Sequence, residues 1–150
     1  MGIVKTIKGD ILQLHRDGKA PIILQGCNCF KMQGSGLAGQ IAQQFPEVYQ
    51  ADKDYPLRPL RRLGTYSVGE TKFGIILNCY TQYLPGKHFE YAALKQCLDR
   101  LEAIGIKRGK PINLHVPQIG CGIGGGNWDI VQELFNMYEH LLFTVVEYGE

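Results

Sequence analysis

Short runs of β-branched and apolar residues alternate along this chain with longer stretches whose apolar side chains recur at helical spacing. That alternation is a strong constraint. Strands joined through helices lie parallel, and a parallel sheet must be covered on both faces. The strand-like runs are Ile3–Ile7, Pro21–Leu24, Gly74–Cys79, Pro111–Val116 and Leu142–Val146. Between them, Leu37, Ile41 and Phe45 fall on one helical face, as do Ala93, Leu94, Cys97, Leu98, Leu101 and Ile104, and then Ile130, Leu134 and Met137. Pro46 is placed to close the first helix and Gly105 to stop the second. Pro111 opens its strand, where a missing N–H is tolerated. The expected fold class is α/β, a three-layer α/β/α arrangement around a mixed, largely parallel central sheet. Residues 50–73, with Pro56, Pro59 and Gly64, read as irregular. There is no internal repeat or linker, and 150 residues suit one domain.

Composition narrows the partners. A formal net charge of +2 gives no field to argue for nucleic acid. The clusters Arg58, Arg61, Arg62 and Lys107, Arg108, Lys110 read as solvated surface. No stretch approaches the roughly 18 apolar residues of a membrane span, so no membrane partner is expected. The N-terminal MGIVKTIKGD has no secretory core. Five cysteines, an odd number with no secretory signal, lead one to expect reduced thiols and a cytoplasmic location; a monomer is expected. Cys27 and Cys29 flank one residue, but no second Cys/His pair at zinc spacing follows. No metal and no cofactor are expected.

Two loops carry the chemistry. Gly34-Ser35-Gly36-Leu37-Ala38 opens a helix, and Ile119-Gly120-Cys121-Gly122-Ile123-Gly124-Gly125-Gly126 follows the strand ending at Val116. In an α/β sheet, ligands sit where loops meet at the carboxyl ends of strands. Glycine lets a ligand approach the backbone, and free N–H groups at a helix start attract an anion. Two such loops suit a diphosphate. Neither matches a Walker A or a dinucleotide fingerprint.

Taken in order, these segments resemble the macro-domain family over almost the whole chain. Gly9-Asp10-Ile11 resembles its adenine-contacting segment. Cys27-Asn28-Cys29 with Gly34 to Ala38 resembles its first ligand loop. Gln43-Gln44-Phe45-Pro46 and Asp54-Tyr55 fit the helix and turn that follow. Val116-Pro117-Gln118-Ile119-Gly120-Cys121-Gly122-Ile123 with Trp128 resembles its second ligand loop. The resemblance implies ADP-ribose or ADP-ribose 1''-phosphate as ligand. It gives Asp10 the adenine amino group, Ile11 a backbone N–H to the ring, and Asn28 the distal ribose hydroxyls. Gly34 to Ala38 and Gly120 to Gly124 would wrap the diphosphate and distal ribose, with Ile119 and Cys121 in the same loop. Tyr80 and Thr81 would wall the distal pocket. Trp128 is read as helix packing.

Within the family, the spacing resembles the branch of ADP-ribose 1''-phosphate phosphatases and terminal ADP-ribose glycohydrolases. Three positions depart from it. Gln82 stands where glycohydrolases have a lysine, Gly124 where they have an aspartate, and Gln25 where some phosphatases have a histidine. A glutamine can neither form a Schiff base nor exchange a proton near neutral pH. The expectation is a slow phosphatase with Asn28 as its candidate catalytic residue; a binding module without turnover is the alternative. Cys29 and His88 are the other titratable groups near these segments.

Overall fold

A computed structural model describes residues 2–34 and 36–149. In chain order they form β1 (Gly2–Gly9), α1 (Ile11–Arg16), β2 (Ile22–Asn28), α2 (Gly36–Gln44), α3 (Pro46–Asp54), α4 (Pro59–Arg62), β3 (Tyr66–Thr71), β4 (Gly74–Gln82), α5 (Tyr91–Arg108), β5 (Ile112–Val116), α6 (Trp128–Phe135) and β6 (Leu141–Tyr148). The sheet order is β1-β6-β5-β2-β4-β3, parallel except for β3 against β4. This is the mixed, largely parallel sheet that the alternation predicts.

Helices cover both faces. On one, Leu94, Cys97, Leu98 and Leu101 of α5 and Val131 and Phe135 of α6 pack on Leu24, Leu77, Leu114 and Phe143 of the sheet. Phe135 stacks flat on Phe143, with ring centroids 4.1 Å apart. On the other face, Ile11 and Leu12 of α1, Ile41 of α2 and Val48 of α3 cover Ile23, Ile76 and Val146. Trp128 meets Phe135 edge-on at 6.0 Å, in agreement with a packing role.

Several sequence expectations are corrected. Residues 50–73 are regular: they hold the end of α3, then α4 and β3. β3 escapes a hydrophobic reading because its inward residues are Ser67 and Gly69, while Val68 faces out. Gly69 lies so close to Val48 that a Cβ would sit 2.7 Å from its Cα. Pro46 does close α2, but it also opens α3 as a first-turn proline, where no N–H is missed. Gly105 does not stop α5, which runs on to a left-handed cap at Gly109. Gly105 is a packing residue: a Cβ there would be 2.8 Å from His140 Cβ and 2.9 Å from its carbonyl oxygen. α6 ends at Phe135, before Met137, the last residue of the expected helical face.

Arg62 is not surface. It is 1% exposed and pairs with fully buried Asp52 at 3.0 Å. Its Nε donates to the Leu57 carbonyl, and Nη2 donates to that of Tyr55. Nη1 donates to both the carbonyl and the carboxylate of Asp52. The guanidinium lies over the rings of Tyr55 and Tyr80, at 5.5 and 5.3 Å. One side chain thus ties down the chain between α3 and β3. Arg58 and Arg61 remain exposed.

Arg62→Met should destabilise the protein by about 3–5 kcal/mol, because it leaves a buried carboxylate unpaired. Gly105→Ala should cost less, about 1–3 kcal/mol, since it only overpacks the α5–His140 contact. Urea unfolding of the two variants checks the order.

Candidate functional site

The carboxyl ends of β1, β6, β5, β2 and β4 share one edge of the sheet. The loop after β2 leads into α2 on one face, and the loop after β5 leads into α6 on the other. Loops that diverge to opposite faces leave a crevice between neighbouring strands. Among the described residues, the only ones registered between β2 and β5 are Ile23 and His115, and Pro117 removes a donor just beyond.

Two cavities occupy this edge. The first, about 340 Å³, has a floor from Gln25, Gly26, Cys27 and Thr81, with α2 and the second glycine loop as walls. The second, about 560 Å³, lies between Gly9, Asp10 and Ile11 on one side and Val146, Glu147 and Tyr148 on the other. Both are lined by Gly36, Leu37, Pro117 and Gln118, so they run into one another.

The predicted residues fall largely, but not wholly, on these walls. Gly9, Asp10 and Ile11 line the second cavity. Asn28, Ala38, Thr81, Ile119, Gly120, Gly122, Ile123 and Gly124 line the first, and Gly36 and Leu37 line both. Ser35 lies outside the described residues. Gly34 lines neither cavity; its carbonyl instead packs 3.1 Å from where a Cβ of Gly39 would lie.

Tyr80 is a correction. Side chains alternate along β4, so when Thr81 faces the cavity Tyr80 faces away. Tyr80 is fully buried, stacked on Tyr55 at 5.4 Å. Cys121 is a second correction: it turns from the cavity to pack against the core, its thiol on the Ile119 carbonyl.

Two predicted polar residues have structural partners. Asp10 caps α1, its carboxylate accepting from the amides of Leu12 at 3.0 Å and Gln13 at 3.4 Å. Asn28 holds its own loop: Nδ2 donates to the Met32 carbonyl at 2.8 Å, and Oδ1 accepts from the amides of Phe30 and Met32.

Backbone donors are what the walls offer. The amides of Cys121, Gly125 and Gly126 bond within the loop, to the carbonyls of Gln118, Gly122 and Gly120. Among the described residues, those of Gly122, Ile123 and Gly124 have no partner. Opposite them stands the first turn of α2, whose amides an α-helix cannot satisfy. The Ile11 amide, in the first turn of α1, is likewise without a partner among the described residues.

The loop's shape depends on Gly120 and Gly124. Gly120 has φ +76°, and a Cβ there would overlap the Phe89 ring. A Cβ on Gly124 would lie 2.8 Å from the Gly120 carbonyl oxygen, so a side chain fits there poorly.

Among the described residues, no Asp, Glu, His, Lys or Arg lines the first cavity. Its titratable group is Cys27, whose thiol is pushed well up by burial and then by Asp52. Cys29 is buried behind the cavity, its thiol pushed up to about 11 by burial. His88 is exposed and lines neither cavity. Gln82 does line the first cavity, but its amide braces the next turn, donating to the carbonyls of Leu84 and Gly86. No cluster of three or more metal-ligating side chains is present among the described residues.

Sequence reasoning missed the contributions of Gln33 and of Val146, Glu147 and Tyr148. The last three belong to β6, whose insertion between β1 and β5 is a long-range pairing with no local signal.

No family profile matches the chain. An uncharacterised 17.5 kDa protein from the tk-vs intergenic region of Enterobacteria phage T4 is 42% identical over 149 residues, covering 96% of this chain and 95% of that protein. The macrodomain of Thermus aquaticus DarG superposes with a TM-score of 0.70 at 20% identity, covering 99% of this chain and 100% of the other. Thermosipho africanus DarTG, solved in complex with ADP-ribose, gives 0.73 at 22% identity, covering 93% of this chain and 40% of that one. The fold is that of a macro domain. The chain belongs to one family with the phage T4 protein.

Asp10→Ala should lower stability by about 0.5–2 kcal/mol through loss of the α1 cap, and Asp10→Asn should lose little, since an amide oxygen caps as well. Chemical denaturation of the pair measures this.

Proposed function

We propose that this chain binds ADP-ribose or a close derivative along the two joined cavities. Adenine lies beside Asp10 and Ile11, the diphosphate between α2 and the second glycine loop, and the terminal ribose in the first cavity. The observation that carries the reading is the set of unpartnered amides at Gly122, Ile123 and Gly124 facing the start of α2. They are fixed donors in a cavity without side-chain cations, which suits an anion held by backbone. The ADP-ribose complex of Thermosipho DarTG, with the same fold, supports it. Asp10 has a second carboxylate oxygen for the adenine amino group, since both cap bonds fall on Oδ1.

The same amides favour a second reading, hydrolysis of ADP-ribose 1''-phosphate by water to ADP-ribose and inorganic phosphate. Amides placed to hold a phosphoryl group also stabilise its transition-state charge. The reaction would be slow, because an absent general acid or base typically forgoes about 10²–10⁴-fold. Lysine- or aspartate-dependent deglycosylation has no support: Gln82 braces a turn, and Gly124 has little room for a carboxylate.

Calorimetry should show one ADP-ribose per chain. Gly122→Glu should fold normally, because a Cβ there meets nothing within 4 Å, yet lose binding through bulk and like charge. No heat from the wild type at millimolar ADP-ribose, or full affinity in a folded Gly122→Glu, would sink the binding reading. Phosphate release from ADP-ribose 1''-phosphate should be weak, unaffected by chelators and reduced further in Asn28→Ala. Binding with no release above background leaves a pure binding module.

A further inference from the structure

Among the described residues the sheet ends in two edge strands, β1 and β3. An unpaired edge invites another strand, and proteins usually blunt it with a bulge, a proline or lysines. β1 is blunted in this way: its register breaks between Ile3 and Lys5, and Lys5 and Lys8 stand exposed along it. β3 is not. It runs from Tyr66 to Thr71 against β4 without a break in register, and it holds neither proline nor lysine.

The outward face of β3 is also apolar at its centre. Side chains alternate along a strand, so Tyr66, Val68 and Glu70 share one face. Gly69 is on the other, against Val48 of α3. Val68 is 43% exposed, and Ile104 of α5 is 42% exposed. Arg100 lies one turn before Ile104 on the same side of α5. Its Nε donates to the Gly64 carbonyl at 3.2 Å, so this side of α5 looks onto the start of β3.

The charges at this edge are unmatched within one chain. Glu70 is exposed and has no ion pair among the described residues. Arg100 is exposed too, and among the described residues only its Nε has a partner. Glu70 lies about 13 Å along the strand from Tyr66, too far to meet Arg100 of its own chain.

We propose that β3 pairs antiparallel with β3 of a second copy, about a dyad at Val68, giving a homodimer rather than the monomer expected from the sequence. The dyad sets the two Val68 side chains against each other. It also brings Glu70 of the partner subunit opposite Tyr66, beside Arg100. Two equivalent ion pairs then flank an apolar centre, the self-complementary pattern that an isologous contact needs. No residue of β3 lines either cavity, so each copy keeps its ligand site.

Sedimentation velocity tests this. The wild type should dimerise at high micromolar concentration, and Val68→Lys should weaken association by at least about tenfold, since like charges then face each other across the dyad. ADP-ribose affinity should be the same in Val68→Lys, so the dimer and the binding reading fail separately. Glu70→Arg and Arg100→Glu, each checked for folding by circular dichroism, should each be monomeric alone. Mixed in equal amounts they should form a heterodimer, because every contact then joins opposite charges. A wild type that stays monomeric overturns the proposal and leaves this edge to a strand from another protein. A dimer that Val68→Lys leaves as tight, charge-reversed variants that dimerise alone as well as the wild type, or a mixture that stays monomeric, also overturns it.

Discussion

The buried ion pair of Asp52 and Arg62 organises one whole side of this molecule. An isolated carboxylate in that position would be prohibitively costly, so the surroundings are built to satisfy it. Its oxygens accept from Arg62, Tyr80 and Gln33. The guanidinium in turn takes up carbonyls from a stretch with two prolines that cannot pair through its own backbone N–H groups at those positions. The pair closes the gap between α3 and the antiparallel edge strand β3. Through Ser67 and Asn78 it reaches across the edge of the sheet to β2. Interiors are densely packed and low in dielectric, so each member limits the others to one arrangement.

That rigidity matters because the cavity on the opposite side of the same strands is made mainly of backbone. β2 and β4 divide their side chains between two tasks. Asn78 and Tyr80 enter the network, while Thr81 and the open space at Gly26 form the cavity floor. A Cβ on Gly26 would sit 2.9 Å from Thr81 Oγ1, so the depth of the floor depends on its being glycine. Loop amides can act as fixed donors only if their loops hold still. Asn28, Gln82 and the internal bonds of the 120–126 loop supply that restraint.

The sheet, its main helices and both glycine-rich loops were legible in the sequence because each has a local signature: β-branched runs, helical spacing, glycines after a strand. What stayed hidden was long-range or inverted. β3 buries serine and glycine and exposes valine, the reverse of the usual pattern. Arg62 sits among other cations and prolines and looks like surface, since its partner lies ten residues away on a different helix. Gly105 looks like a terminator because its neighbour, His140, is distant in sequence. Tyr80 and Thr81 could be placed at a strand end, but which of them faces the cavity is a matter of one residue of register. Gln33 reads as loop filler until Asp52 is seen beside it.

The three departures from the enzyme branches acquire a common physical sense once the cavity is assembled. Glutamine at position 25 places a neutral amide where an imidazole would titrate, and the network fixes its orientation, with Nε2 on Asn78. Glutamine at 82 replaces a movable cation with a brace for the neighbouring turn. Glycine at 124 leaves its amide bare where a side chain would crowd the Gly120 carbonyl. Each exchange removes a proton donor or acceptor and adds a fixed dipole. Fixed dipoles discriminate by the pattern of donors and acceptors they meet, and they need no change of protonation to do so. A cavity walled by backbone donors, with no cationic side chain among the described residues of its lining, suits an anion. Such a lining can hold an anion without any change of protonation.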